Sequence, residues 1–478
     1  MDNPDAQIKD NQLLFILLGM SMLLVFSYSW VPGGLDLDSC NYGVIAREVM
    51  RSARWLGIYD PIYRAAFYYH FPLCIWVTAG LFKLFGASTF TAKVFSMSSA
   101  VALVAVIFYF GRMLANKWAG FFAAVSFLAT NHIVRIARKC RMDLPLCLFI
   151  TLAIFSFIMA QRRSRRYYLL FGLFTCLAIF TKDVAGLAPL AIAFIYFVLC
   201  LKWRELFNPY FLLGVVIAAA PVLFWIWLDK AVLFNAWFSC NFLHLLKAQR
   251  FNVPWYYYGQ AILTKYFYLL PFAVYGGYLA IREANRNKNY ELYILIIWTL
   301  IFPLAFSFGR QKLHYFILPM YPATALLAGI AFDKIFRERI KLKIARLIKY
   351  ILLFAGIVML CFPVNAASGR FKEAVRLSPA VDRLIKQLPE YEFILYKQDQ
   401  ASMLFYSQEL KRATSILEMG ALEEALKDSS KVKLCYISER DFSGLSQETQ
   451  KNLRVILKYK DRLILVNQKD SGLLVILP

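Results

Sequence analysis

The chain has 478 residues, 60% of them hydrophobic and 17% aromatic, with only 18% charged. Its 54 Lys and Arg against 30 Asp and Glu give a formal net charge of +24. Soluble chains carry about a quarter charged residues and less than half apolar ones, which excludes an ordinary soluble enzyme, a disordered chain and a secreted disulfide scaffold. A polytopic α-helical membrane protein remains.

A helix needs about 20 apolar residues to cross a ~30 Å hydrocarbon layer. Such runs lie near 13–30, 90–111, 118–134, 144–160, 167–181, 184–201, 210–228, 261–281, 290–307, 313–332 and 347–363. They predict about eleven transmembrane helices, with thirteen as the upper bound. The run 71–85 is shorter, carries Pro72 near its start, and predicts a juxtamembrane helix. The first run follows Asp2, Asp5 and Asp10 and has no small-residue cleavage site, so it is expected to be an uncleaved anchor.

Basic residues recur on alternate connections: Arg112 and Lys117, the four Arg of 162–166, Lys202 and Arg204, then Arg282, Arg286 and Lys288, and seven Lys or Arg within 334–349. An excess of Lys and Arg in short loops marks the cytoplasmic side. The N-terminus is therefore expected inside. Eleven crossings then put the C-terminal region outside.

Residues 364–478 break the pattern, with 18 basic and 15 acidic residues and no spanning run. Short β-prone runs at 393–396, 432–436, 454–459, 463–466 and 473–477 alternate with helical patterns at 378–388 and 417–426. This alternation predicts a small soluble α/β domain behind a membrane domain of residues 1–363. Nine Cys form no C-x-x-C pair and no metal-ligand spacing, so no metal is expected. Cys40, Cys140 and Cys240 fall in connecting segments, where pairing is conceivable.

The outward loops hold the unusual polar clusters. The first, 35–71, carries Asp36, Asp38, Tyr42, Arg47, Glu48, Arg64, Tyr68, Tyr69 and His70; the second carries His132, Arg135, Arg138, Lys139, Arg141 and Asp143. A third is Lys182-Asp183, between two apolar runs, and a fourth is Arg310, Lys312, His314 and Tyr315. Ordinary roles exist for each: Glu48 can pair with Arg47 or Arg51, and Arg135, Arg138 and Arg141 can form a stripe that snorkels to headgroups. His244 has no such context and reads as structural. Ionisable groups at the edge of closely joined spans face a cavity or one another. Outward basic residues beside acidic ones suit a lipid-borne phosphate, with Arg as a planar fork and Lys as a point charge.

The motifs resemble those of the GT-C membrane glycosyltransferases, nearest to the lipid A aminoarabinose transferase and protein O-mannosyltransferase types. Leu37–Glu48 is similar to the first-loop acidic motif, Tyr69–Trp76 to the basic-Pro-Leu-Trp segment, and Arg138–Asp143 to the second-loop Arg…Asp motif. Thr181–Leu187 resembles the Thr-Lys-Gly…Gly turn, Gly309–Pro322 the Lys-x-x-Tyr…Pro helix start, and Phe405–Arg412 part of the outer domain. The resemblance implies Asp38 as the essential first-loop acid and Asp143 as the second, with Arg138 and Arg141 on the phosphate side. Lys182, His70, Arg310, Lys312 and His314 join them as donor-binding residues, and Tyr42, Arg64, Tyr69 and Tyr315 as positioning ones. His70 stands where the relatives carry Lys, Ser39 where a second acid usually follows, and Asp183 where the turn has Gly.

The implied activity is transfer of a sugar, with inversion, from a polyprenyl-phosphate donor to a glycolipid, glycan or protein acceptor on the outer face, a lipid A-like glycolipid being favoured. No cofactor is expected, and no nucleotide-binding G-x-G-x-x-G or Walker sequence is visible. The rival readings are a transporter or flippase of a lipid-linked anion and a membrane-anchored interaction protein. Residues 1–363 hold 36 of the 54 basic and 15 of the 30 acidic residues, so helix orientation and the outward clusters account for the basic excess. A nucleic-acid partner is not needed.

Overall fold

The structure, a computed structural model, describes residues 9–27, 29–30, 34–67, 70–228, 253–309, 312–339, 369–388, 390–398, 400–428 and 430–467. Tyr68, Tyr69, Arg310, His244, Cys240, the expected span 347–363 and the expected strand 473–477 lie outside these residues. The chain divides into two compact units. One comprises 1–30, 67–78 and 90–364; the other comprises 31–66, 79–89 and 365–478.

The first unit is helical. In chain order it holds α1 (Asp10–Phe26), with α2 (Leu37–Ser52) belonging to the second unit and α3 (Leu73–Phe85) beginning in the first, then α4 (Thr89–Leu114), α5 (Lys117–Ala129), α6 (Asn131–Ala137) and α7 (Asp143–Arg162). There follow α8 (Tyr167–Lys182), α9 (Ala188–Leu199), α10 (Pro209–Leu228), α11 (Tyr257–Lys265), α12 (Leu270–Asn287), α13 (Tyr293–Ser307) and α14 (Tyr321–Phe332). Among the described residues six helical stretches are long and apolar enough to span a bilayer, and a bent pair makes a seventh. The protein is an integral membrane protein.

Three expected spans depart from straight helices, each for a local reason. The run 118–134 bends by 68° between α5 and α6, where Thr130 turns extended and its hydroxyl donates back to the Ser126 carbonyl. The run 261–281 divides into α11 and α12, because Pro271 in the first turn of α12 has no N–H to continue the preceding helix. The run 313–332 opens as a 3₁₀ turn, His314–Met320, which contains Pro319 and precedes Pro322. Cys40, expected in a connection, is helical in α2, and neither Cys40 nor Cys140 is part of a disulfide.

The stretch Tyr167–Leu199 reverses rather than running on. The Phe157 ring meets Tyr168 and Phe171 at the start of α8 and also Tyr196 and Phe197 at the end of α9. Only a hairpin satisfies both. Gly186 closes it, since a Cβ there would lie 2.4 Å from the backbone of Ala178.

Close helix contacts rest on small residues, the usual means of packing helices in lipid. A Cβ on Gly276 of α12 would sit 1.9 Å from the Leu327 carbonyl oxygen of α14, whereas one on neighbouring Gly277 would meet nothing within 4 Å. Gly276→Ala is expected to cost about 2 kcal/mol through forced separation of the backbones, read as a lower thermal midpoint in detergent. Gly277→Ala serves as the neutral control.

The basic loops converge on one end of this unit. Arg162 donates to the Met113 carbonyl at 2.7 Å and to Asn289 at 3.2 Å, Arg165 pairs with Glu205, and Arg112 pairs with Asp10 at 2.8 Å. The helix ends described in the next section lie at the opposite end.

The second unit contains a five-stranded sheet in the order β4-β3-β5-β7-β6, after a small hairpin of β1 (Tyr59–Asp60) and β2 (Ala65–Ala66). Strands β3 (Tyr391–Tyr396), β4 (Thr414–Ile416) and β5 (Val432–Ser438) are parallel, while β6 (Arg454–Tyr459) and β7 (Arg462–Val466) form an antiparallel hairpin on its edge. Helix α15 (Gly369–Lys386) precedes the sheet; α16 (Gln400–Tyr406) and α17 (Met419–Lys427) make the parallel crossovers. The expected strands match four of these five, and the three-residue edge strand β4 is additional.

Helix α2 is built into this unit. Asp36 caps it by accepting from the Ser39 N–H at 3.0 Å. Arg47, 4% exposed, donates to the carbonyls of Leu404, Phe405 and Ser407 at the C-terminal end of α16. Arg51 reaches the Gln408 carbonyl at 2.8 Å. A cation suits the negative end of a helix. Burial, reinforced by Arg51, draws the Arg47 pKa down to about 10, so it remains charged at neutral pH.

Candidate active site

At the end of the first unit away from the basic loops, two antiparallel helices bring opposite charges together. Asp143 begins α7 and Lys182 ends α8, which places a carboxylate at a helix N-terminus and a cation at a C-terminus. Lys182 Nζ donates to Asp143 Oδ1 at 2.6 Å, and Arg141 Nε donates to Oδ2 at 2.9 Å. The carboxylate is 3% exposed. Removing one member of such a buried pair costs about 3–5 kcal/mol, because the partner charge stays desolvated.

Tyr315 completes the cluster. Its ring lies 4.2 Å from the Arg141 guanidinium carbon and 5.4 Å from Lys182 Nζ, with Phe316 5.5 Å from the same Nζ. An aromatic face stabilises a cation without consuming its hydrogen-bond donors. Two cations on one carboxylate leave a local charge of +1, which suits an anionic ligand.

The adjacent residue points elsewhere. Asp183 Oδ2 accepts from His70 Nδ1 at 2.7 Å, and Oδ1 accepts from the Phe71 N–H at 2.9 Å. Asp183 has φ +39° and ψ −120°, a conformation suited to glycine. A non-glycine residue held there costs of order 1–3 kcal/mol. The segment is also fixed by Phe71, whose ring meets Phe180 at 5.7 Å.

The remaining candidates spread around this core. The His314 ring lies 4.9 Å from that of His132, whose Nδ1 is 3.3 Å from the Tyr321 hydroxyl. His314 is within electrostatic reach of Arg141, Lys139, Lys265 and Asp143. Lys312, 6% exposed, donates to the Val253 carbonyl at 3.1 Å. Arg138, 6% exposed, donates to the Leu24 carbonyl at the end of α1, whereas Arg135 is exposed, so the three-residue Arg stripe is divided.

Asp38, Tyr42 and Arg64 belong to the second unit. Asp38 and Tyr42 are half-buried on α2, and Arg64 donates to the Thr414 hydroxyl at 3.1 Å. Sequence reasoning missed Lys93, 2% exposed, whose ammonium donates to the Ser29 carbonyl at 3.3 Å and lies within electrostatic reach of Arg138. Its signal was present: a lone lysine inside an apolar run of spanning length is a functional candidate by default. Among the described residues no group of three or more His, Cys, Asp or Glu could hold a metal ion.

Residues 69–227 match the family model described as dolichyl-phosphate-mannose-protein mannosyltransferase. Undecaprenyl phosphate-alpha-4-amino-4-deoxy-L-arabinose arabinosyl transferase of Pectobacterium carotovorum is 25% identical over 335 residues, covering 66% of this chain and 57% of that protein. One of two such enzymes in Proteus mirabilis is 27% identical over 332 residues, covering 66% and 58%. The chain thus spans well under two thirds of these curated relatives.

Among solved structures, ArnT of Cupriavidus metallidurans bound to undecaprenyl phosphate superposes with a TM-score of 0.77 at 17% identity, covering 97% of this chain and 99% of that one. The Archaeoglobus fulgidus oligosaccharyltransferase superposes with a TM-score of 0.59 at 11% identity, covering 98% and 76%. The chain shares the fold of these two solved proteins.

Proposed function

We propose that this chain transfers a sugar, with inversion, from a polyprenyl-phosphate donor to a lipid A-like glycolipid on the outer face of a bacterial inner membrane. One observation carries the reading: a buried Asp143 gripped by Arg141 and Lys182, with the Tyr315 ring beside both cations. The names of the similar arabinosyl transferases and the ligand of the similar ArnT structure support the donor class.

The chemistry follows from charge. When the sugar leaves its donor, negative charge develops on the polyprenyl phosphate. Arg138, Arg141, Lys182 and Lys312 are assigned the phosphate-binding role, and His70, His314 and Arg310 share it. Preorganised donors of this kind contribute heavily to catalysis, about 3–4 kcal/mol for a single one. Asp143 holds Arg141 and Lys182 in place. Asp38 takes the acceptor's proton when the acceptor is a hydroxyl and orients it when the acceptor is a phosphate. Tyr42, Arg64, Tyr69 and Tyr315 position the substrates.

Under this reading the N-terminus is cytoplasmic and the C-terminal region periplasmic or extracellular; the gathering of Arg112, Arg162 and Arg165 at the end of the helical unit opposite Asp143 supports the first part. A donor that arrives through the bilayer requires no nucleotide-binding fold. The test is sugar transfer by purified Asp38→Asn. Transfer is expected to fall by about 10²–10⁴-fold, as general-base catalysis contributes, and a wild-type rate would remove Asp38 from the mechanism.

A further inference from the structure

Asp183 spends both carboxylate oxygens on one short segment. Oδ2 takes the His70 Nδ1–H at 2.7 Å and Oδ1 takes the Phe71 N–H at 2.9 Å. The carboxylate is 4% exposed. Glycine would occupy φ +39°, ψ −120° without strain, so packing alone gives no reason for aspartate here. The segment does not need this carboxylate as an anchor either. Phe71 packs on Phe180, Trp76 packs on Phe180 at 6.4 Å, and the Trp76 N–H donates to the Pro72 carbonyl at 2.8 Å. A strained, buried acid kept against these considerations points to work done on His70. Strain of this sort persists where the surrounding structure exploits it.

We propose that Asp183 is a positioning residue for the lipid-phosphate site, holding His70 with Nδ1–H toward the carboxylate so that the ring serves the phosphate through Nε2. The inference rests on the phosphate-site reading above. A carboxylate on one ring nitrogen fixes the orientation of the ring. A neutral ring with Nδ1–H offers Nε2 only as an acceptor, so donation to the phosphate is by the imidazolium form, for which Asp183 is the counter-charge. The turn at 182–183 then serves the site twice. Lys182 is tied to Asp143, and Asp183 sets His70, so two side chains of the phosphate site are placed by neighbouring residues of one hairpin.

The test uses the full-length protein in detergent with a polyprenyl-phosphate-linked sugar as donor, comparing Asp183→Gly, Asp183→Asn, His70→Lys and the double variant His70→Lys/Asp183→Gly. Asp183→Gly relieves backbone strain of about 1–3 kcal/mol but removes the Asp183 acceptor of the buried Phe71 N–H, a loss of similar size, so its thermal midpoint is expected to stay within a few degrees of wild type. Its KM for the donor is expected to rise about tenfold, the scale of one charge-assisted hydrogen bond. Asp183→Asn keeps the shape but offers an N–H to Nδ1 and removes the counter-charge, so its KM is expected to rise as well. Lysine needs no orienting carboxylate, and the double variant is expected to bring KM back to within about threefold of wild type.

A wild-type KM in Asp183→Gly overturns the proposal. So does a raised KM with a lowered thermal midpoint that the double variant fails to correct, because that pattern is purely structural. The two levels separate cleanly: wild-type protein that neither binds undecaprenyl phosphate nor transfers sugar overturns the site reading and this proposal together. Active wild type with an unaffected Asp183→Gly overturns this proposal alone.

Discussion

Asp143→Asn is expected to lower sugar transfer by about 10²–10³-fold, the scale seen when a preorganised electrostatic group is removed. The carboxylate binds Lys182 at 2.6 Å through one oxygen and Arg141 at 2.9 Å through the other. An asparagine carbonyl can accept from one of these donors, but its NH₂ then faces the second. Two desolvated cations are left beside a neutral amide, and the uncompensated charge costs about 3–5 kcal/mol. Lys182 and Arg141 move away from each other, and the positions that would meet a phosphate move with them. Lys182→Met/Asp143→Asn, which removes one charge of each sign, is expected to recover thermal stability without recovering transfer. That separation distinguishes a catalytic cluster from a merely structural ion pair.

Arg47→Ala should have the largest effect in the second unit. The guanidinium is 4% exposed and donates to three carbonyls at the end of α16. Hydrogen bonds from a charged donor contribute about 1.5–3 kcal/mol each, and buried acceptors left unpaired cost more than the bond itself contributes. A loss of about 3–5 kcal/mol is expected for the attachment of α2 to the α/β domain, less what water recovers by entering. Faster amide exchange across Leu37–Ser52, with exchange in the five-stranded sheet unchanged, is the predicted result. Protection equal to wild type would show that α2 is held by other contacts. Gly43 gives a second route to the same contact, because a Cβ there would lie 2.4 Å from the Phe405 ring.

Much of the architecture was legible in the sequence because it depends on local, one-dimensional signals. The apolar runs 90–111, 144–160, 210–228 and 290–307 fall within helices long enough to span, since burial in lipid requires every turn to be apolar. Strand β6 begins and ends where the β-prone run 454–459 does. The basic loops were readable because charge asymmetry is linear along the chain, and Arg162, Arg165 and Arg112 do gather at one end of the helical unit.

What stayed hidden depends on contacts between distant residues. Nothing near Arg47 announces that its partners are carbonyls about 360 positions away. The grouping of α2 with the α/β domain was therefore invisible to a reading that divided the chain at 363/364. The break at Thr130 and the split at Pro271 were written in the sequence, as a β-branched residue before Asn and a proline inside an apolar run. Hydropathy averaged over 20 residues conceals both. At the site, the sequence put Arg141, Asp143, Lys182 and Tyr315 in three separate outward clusters, and the structure brings these four side chains together. Which cation would grip which carboxylate, and that Asp183 would turn to His70 instead, came only from the hairpin geometry of α8 and α9.

The most direct measurement places purified protein in liposomes with a polyprenyl-phosphate-linked sugar, labelled in the sugar, and a lipid A-like acceptor. The predicted result is label covalently joined to the acceptor, with one polyprenyl phosphate released per sugar transferred, and loss of both in Asp143→Asn. Donor that crosses the bilayer intact, with no labelled acceptor and no released polyprenyl phosphate, would identify a lipid transporter and contradict the glycosyltransferase assignment.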